Sequence, residues 1–269
     1  MNAAYIVGSF DAAELAFLLF FGFFVALVFY LNRESRREGY PLEEEETGKV
    51  LPGSLFDGDK KSFQLPNGRG TYVPEDVERD DINVPGVQAF KAAGAPWVPT
   101  GDAMKDGMGP AAFANRAKYP DVTFDGRPRI VPIADSHELI VSPQDPQLIG
   151  WPVVGADGAN AGKVTDIWVD QAEHLIRYLE VETNSGKKVL APMAVAVVHG
   201  NSLLGKVLPT TNHDEPKFVE IDAITAAQFE DVPALETAGI ITRYEEDRIQ
   251  AYFGGGYMYA TPERSEAWI

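Results

Sequence analysis

Forty Asp and Glu residues against 23 Lys and Arg give this 269-residue chain a formal net charge of −17. A field of that sign repels phosphates and excludes nucleic acid as a partner. The absence of cysteine excludes disulfides, thiolate metal sites, iron–sulfur clusters and thiol nucleophiles.

The first element in the chain is apolar. From Leu15 to Leu31 the residues read LAFLLFFGFFVALVFYL, without a charge. At about 1.5 Å per residue this run is slightly short of a hydrocarbon core of roughly 30 Å, and Ala12 and Ala13 extend it. A lone strand would leave its backbone groups unpaired in lipid, so the segment is predicted as a transmembrane helix. Ser9 or Asp11 is placed as its N-cap, with Glu14 three residues beyond Asp11. A cleaved signal peptide would want a basic start and small residues at a cleavage site. Here no Lys or Arg precedes the run, and it ends in Tyr30-Leu31-Asn32-Arg33. Arg33, Arg36 and Arg37 follow the span, so the positive-inside rule directs the short N-terminus outwards and the rest of the chain to the cytoplasm.

Residues 38 to about 100 are crowded with breakers (Pro41, Pro52, Pro66, Pro74, Pro85, Pro96, Pro99), which prevent long helices. Phe56, Phe63, Leu65, Tyr72, Val73, Phe90 and Trp97 are too many apolar anchors for a free tether. An extended segment laid over a partner is predicted, with short strands at Ser62–Leu65 and Gly70–Val73 around Asn67-Gly68. The acidic run Glu43 to Glu46 reads as a solvated face rather than a metal site.

From residue 129 the pattern turns β-like. Strands are predicted at Arg129–Ile133, His137–Val141, Lys163–Val169, Ile176–Thr183, Lys188–Ala191 and Val195–His199. Turn signals at Asp157-Gly158, Asn184-Ser185-Gly186 and Gly200-Asn201 separate them. The fold class is thus one N-terminal transmembrane helix plus a mainly-β domain, a small antiparallel barrel or sandwich, with short helices at Thr225–Glu230 and Pro233–Ala238. The expected division is 1–34 for the external N-terminus and span, 35–100 for the extended segment, 101–250 for the β domain and 251–269 for the tail.

Enzyme chemistry finds little support. His137, His174, His199 and His213 lack HxH or HExxH spacing, and neither a G-x-S-x-G elbow nor a Walker loop occurs. Gly254-Gly255-Gly256 lacks the residues phosphate binding needs and reads as a tight bend against a partner backbone. One polar constellation stands out in DIWVDQAEHLIRYLEVE. Asp166 and Asp170 bracket an apolar strand, Glu173 and Arg177 follow, and Glu180 and Glu182 continue the acidic series. If a helical turn opens at Asp170, then Asp170 and Glu173 share a face, with Arg177 one turn beyond Glu173. Grouped carboxylates can hold protons near neutral pH, as a relay requires. A solvated turn between two strands is the plainer reading of the same spacing.

Several segments resemble the H subunit of purple-bacterial photosynthetic reaction centres: REGYPL (Arg37 to Leu42), FQLPNGRGTYVP (Phe63 to Pro74), PTGDAMKDGMGPAAFANR (Pro99 to Arg116), RIVPI (Arg129 to Ile133), RYLEVE (Arg177 to Glu182) and EEDRIQAYFGGGYMYATPER (Glu245 to Arg264). Gly150 to Asp170 is similar to the wider PRC-barrel class. The resemblance covers nearly the whole chain, in order. It implies a non-enzymatic subunit of the bacterial inner (intracytoplasmic) membrane, with a periplasmic N-terminus. Such a subunit caps the cytoplasmic face of the L- and M-type pigment-binding subunits, beside membrane lipids and surrounding light-harvesting antenna. It binds no cofactor itself; bacteriochlorophyll, bacteriopheophytin, quinones, carotenoid and a non-haem iron belong to the other subunits. The resemblance further implies proton conduction to the secondary quinone. The family's key proton-path carboxylate falls on Glu173, with Asp170, Arg177 and Arg129 as its polar surroundings. Some members carry surface histidines just before RIVPI. Here that stretch is TFDGRPR (Thr123 to Arg129), so Asp125 or Asp121 is expected to take up protons instead. A membrane-anchored PRC-barrel adaptor with a purely scaffolding role is the alternative.

Overall fold

The computed structural model describes residues 5–7, 10–40, 49, 58–74, 83–92, 94–136, 138–200 and 216–265. The chain divides into two compact units, residues 1–81 with 88–96 and residues 82–87 with 97–269.

In the first unit, β1 (Tyr5–Val7) and β2 (Phe10–Asp11) pair antiparallel and lead into α1 (Ala12–Arg37). Asp11 is the N-cap: its Oδ1 accepts the Glu14 N–H at 2.8 Å, and Glu14 accepts back from the Asp11 N–H, closing a capping box. The helix has 26 residues, about 39 Å at 1.5 Å per residue, and none of its side chains is buried. It is the one helix among the described residues long and apolar enough to cross a membrane. Its C-terminus is a Schellman motif, with Gly39 N–H bonded to Arg36 C=O at 3.1 Å and Tyr40 N–H to Ser35 C=O at 3.0 Å. Gly39 sits at φ +92°, and a Cβ there would lie 2.5 Å from the Pro74 Cβ. Residues 59–61 run back along this helix end. Arg37 Nε donates to Asp59 C=O at 2.9 Å, and Lys61 Nζ reaches Glu34 at 2.8 Å and Glu38 at 2.6 Å.

The predicted hairpin around Asn67-Gly68 is present as β3 (Phe63–Gln64) and β4 (Thr71–Tyr72). Asn67 and Gly68 take φ +58° and +70°, the geometry a tight hairpin turn demands. The acidic run Glu43–Glu46, Phe56, His137, His213 and the second residue of the Gly200-Asn201 turn lie outside the described residues.

After β5 (Gly86–Gln88) and β6 (Trp97–Pro99), the second unit is built on one seven-stranded sheet. Its strands are β7 (Ile130–Pro132), β8 (Pro152–Gly155), β9 (Asn160–Asp170), β10 (Leu175–Thr183), β11 (Lys188–Pro192), β12 (Val197–His199) and β13 (Phe218–Ile221). They run in the order β11-β10-β9-β8-β13-β12, and β7 pairs the far end of β9. All pairs are antiparallel except β13 with β8. Among the described residues the sheet does not close on itself: β11 and β12 remain its ends. Trp168, Tyr178, Leu179, Val181, Ile221, Phe229, Ile249 and Phe253 form the centre of its core.

Four expectations need correction. Residues 138–141 form no strand, because they pair with no strand of the sheet; Ile140 is left 85% exposed. Pro233–Ala238 is not helical, whereas Thr225–Glu230 is recovered as a 3₁₀ turn over Ala226–Asp231. The strand expected over Val195–His199 begins only at Val197, after a 3₁₀ turn at Met193–Val195. Gly254-Gly255-Gly256 is not a bend but lies inside α2 (Arg243–Tyr259). These glycines let the helix approach backbone within the same unit. A Cβ on Gly255 would stand 2.1 Å from the Met108 carbonyl oxygen, and one on Gly109 2.0 Å from that of Ala251.

Candidate functional site

The β9–β10 connection and the chain before β7 meet at one end of the sheet. Asp170 closes β9, with Leu175 of β10 on one side of it in the ladder and Ile130 of β7 on the other. The four residues between are wound into a single turn. Asp170 Oδ1 accepts the N–H groups of Ala172 at 2.9 Å and Glu173 at 3.0 Å, and the His174 N–H bonds to the Asp170 C=O at 2.8 Å. His174 takes φ +55° to let the chain re-enter the sheet. The helical turn expected at Asp170 is therefore present, held by the Asp170 side chain itself.

Arg129, the residue before β7, spans this turn. Its Nε donates to Asp170 Oδ2 at 2.9 Å, one terminal nitrogen donates to Glu173 Oε1, and the other lies 3.5 Å from Asp121 Oδ2. The planar fork thus serves three carboxylates, two from the β9–β10 turn and one from the chain before β7, as a lysine ammonium could not. The Arg129 backbone is fixed as well, its N–H on Asp121 C=O at 2.8 Å and its C=O under Gln171 N–H at 2.9 Å. Arg177 adds a second cation, with Nε 3.8 Å from Asp170 Oδ2. Burial works against the Arg129 charge, but Asp170 and Glu173 outweigh it and raise its pKa, so it stays a cation. The Asp170 side chain is 0% exposed and that of Glu173 52%, so the network runs from interior to surface.

Arg129, Asp170, Glu173, Arg177 and Asp121 are accordingly brought together. Asp125 is not among these contacts: its carboxylate takes the Thr123 hydroxyl and Arg127 Nε at 2.7 Å, and those two partners hold its pKa below the ordinary aspartate value. The acids farther along the strands have other partners. Glu180, opposite Asp166 in the ladder, is held by Lys188 at 2.8 Å and Thr165 at 2.9 Å, and Glu182 pairs with Lys163 at 3.4 Å. Burial raises the Asp166 pKa against the pull of the Ile167 N–H, and Glu180 adds to the rise.

Glu246 was missed from the sequence. It lies in the acidic triplet at the start of α2, whose members the helical phase sends three ways. Glu245 is buried and caps the helix, accepting from the Thr242 N–H at 2.8 Å and hydroxyl at 2.6 Å and from Glu236 N–H at 2.7 Å. Asp247 pairs with Arg116 at 2.6 Å. Glu246 faces the sheet, where the Tyr178 hydroxyl donates to it at 3.4 Å. Only the Thr-x-x-Glu capping box was readable in advance, and it marks Glu245 rather than Glu246.

Two family models match the chain in succession. That of the photosynthetic reaction centre H-chain N-terminal region covers residues 4–135, and that of the PRC-barrel domain covers residues 144–209. The first takes in α1 and Arg129; the second takes in β8 to β12 with Asp170, Glu173 and Arg177. A protein of this kind is a non-enzymatic accessory subunit associated with other reaction-centre subunits, which carry the pigments, in a membrane-embedded complex. The apolar helix, the β domain behind it and the two successive matches agree, and the chain belongs to the photosynthetic reaction centre H-subunit family.

Proposed function

We propose that this subunit caps and stabilises the cytoplasmic face of the pigment-binding subunits and conducts protons to the secondary quinone during light-driven electron transfer. The observation that carries the reading is the continuous network from half-exposed Glu173 through Arg129 to fully buried Asp170. The acids meet one shared guanidinium within a few ångströms of each other, a chain of polar contacts that leads from the surface to the interior. Glu173 is the residue that takes up and passes on protons. Arg129 holds Glu173 and Asp170 in one network, Arg177 stands beside Asp170, and Asp121 extends the network outwards. Asp125, already engaged by Thr123 and Arg127, is the weaker candidate for first uptake.

Glu173→Gln in the assembled complex is expected to slow the proton-coupled second electron transfer to the quinone by about tenfold or more, as removal of a positioned proton carrier does. Flash kinetics across pH measure it. An unchanged rate would leave the purely scaffolding role, for which the same network is a strut joining β7, β9 and β10.

The cytoplasmic placement of the second unit rests on Arg33, Arg36 and Arg37 at the C-terminal end of α1. The chain has no cysteine, so a single Ile140→Cys probe at a side chain 85% exposed reads the side directly. Impermeant maleimide should label it in inside-out vesicles and not in right-side-out spheroplasts. Labelling from the periplasm would overturn the orientation. Residues 35–100 are the stretch proposed to lie over the pigment-binding subunits, a reading supported by exposed Tyr72 (53%), Val73 (47%) and Phe90 (59%).

A further inference from the structure

We infer that Glu246, on α2, is a proton-storing group coupled to the Asp170–Glu173 network through Arg177 and Tyr178. The inference rests on the proton-conduction reading above and adds to it a residue from a separate element. Glu246 and Gln250 stand one helical turn apart and both address the Tyr178 hydroxyl. Gln250 Nε2 donates to that oxygen at 3.0 Å, and the hydroxyl donates to Glu246 Oε2 at 3.4 Å. Tyr178 is 1% exposed, so the contact is made inside the unit. Its neighbour in β10 is Arg177, whose Nε lies 3.8 Å from the buried Asp170 carboxylate. Arg177 therefore acts on both acids, Asp170 from the turn and Glu246 from the helix.

The charged and titratable groups around Glu246 are Arg177 and Tyr178 from β10, Asp121 from the chain before β7, and Asp247 from its own helix. Burial is the largest influence and raises the Glu246 pKa. Arg177 opposes it, Asp121 adds to it, Tyr178 opposes it through its hydrogen bond, and Asp247 adds to it. Arg116 already neutralises Asp247 at 2.6 Å. A carboxyl group held this way titrates closer to neutral pH than a surface glutamate, the property a proton store needs. A glutamate serving only as a hydrogen-bond acceptor for Tyr178 would be replaced by glutamine without consequence, because the amide oxygen accepts the same bond.

That difference defines the test. Reaction-centre complexes carrying Glu246→Gln, Glu246→Asp or Tyr178→Phe are compared with wild type for flash-induced proton uptake against pH. Infrared difference spectra on quinone reduction provide the second readout. Glu246→Gln is expected to lose part of the uptake and one protonated-carboxyl band. Glu246→Asp should restore uptake. Tyr178→Phe, by removing a bond that favours the charged form, should move the uptake profile to higher pH; it carries the test if Glu246→Gln fails to assemble. Uptake profiles and carboxyl bands that superimpose on wild type in Glu246→Gln, or an unmoved profile in Tyr178→Phe, would overturn the assignment. Glu173→Gln measured in parallel separates the two claims. A slowed second transfer there, with Glu246→Gln silent, removes Glu246 alone, whereas an unslowed one removes the conduction reading on which it rests.

Discussion

Gly255→Ala is expected to destabilise the second unit by about 3 kcal/mol or more, the upper part of the range for forcing extra atoms into packed structure. The added Cβ would be placed 2.1 Å from the Met108 carbonyl oxygen and 3.3 Å from the Gly109 Cα. Those are backbone atoms, and the Gly109 side of the contact is equally tight, at 2.0 Å from the Ala251 carbonyl. Neither chain can withdraw without separating α2 from residues 108–109. Gly254→Ala supplies the control. Its Cβ would meet only the Pro110 ring at 3.2 Å, and alanine improves helix propensity by about 1 kcal/mol over glycine, so the net change should be small. Denaturant unfolding of the full chain in detergent, followed by circular dichroism, measures both. Equal stability of the two variants would show that the glycine contact is not what seats the helix.

Arg129→Leu is expected to cost about 3 kcal/mol, since removing one partner of a buried pair leaves the other charge unanswered. The Asp170 side chain is 0% exposed, and its remaining cation, Arg177, stands back at 3.8 Å. Arg129→Lys should recover only part of the loss, because an ammonium cannot span Asp121, Asp170 and Glu173 at once. A double-mutant cycle isolates the pair. Asp170→Asn keeps an oxygen for the Ala172 and Glu173 N–H groups, so Arg129→Leu with Asp170→Asn should be less destabilised than the sum of the single changes by about 1 kcal/mol or more. Strict additivity would mean that the three carboxylates meet Arg129 without holding the turn in place. The same variants bear on function, because a turn that loosens moves Glu173 and Asp170 apart before any proton is considered.

The local features were legible because each rests on contacts within a few residues. A charge-free apolar run needs only the bilayer to become a helix, and Asp11 with Glu14 starts it by a capping box that spans three positions. Asn67-Gly68 takes the positive φ angles its residue types allow. The strands β9, β10 and β11 follow from short runs of β-favouring residues separated by turn residues. Asp170 and Glu173 could be placed together for the same reason, being three residues apart in one turn.

What tertiary structure alone decided lies at long sequence separation. Arg129 reaches Asp170 from 41 residues away and Glu173 from 44, and Tyr178 meets Glu246 across 68. Spacing could not choose between a solvated turn and a packed network, because that choice depends on whether β7 closes over the end of β9. The glycine triplet was misread for a related reason. Low propensity suggests a bend when the chain is considered by itself, but the absence of Cβ atoms is what lets α2 reach backbone that the sequence does not reveal. The short strands β8 and β13 likewise pair in parallel with each other across more than 60 residues, a pairing invisible from either segment. Local propensity and polarity thus wrote the elements, while the energetics of burial, charge pairing and close backbone approach determined which of their residues became a site.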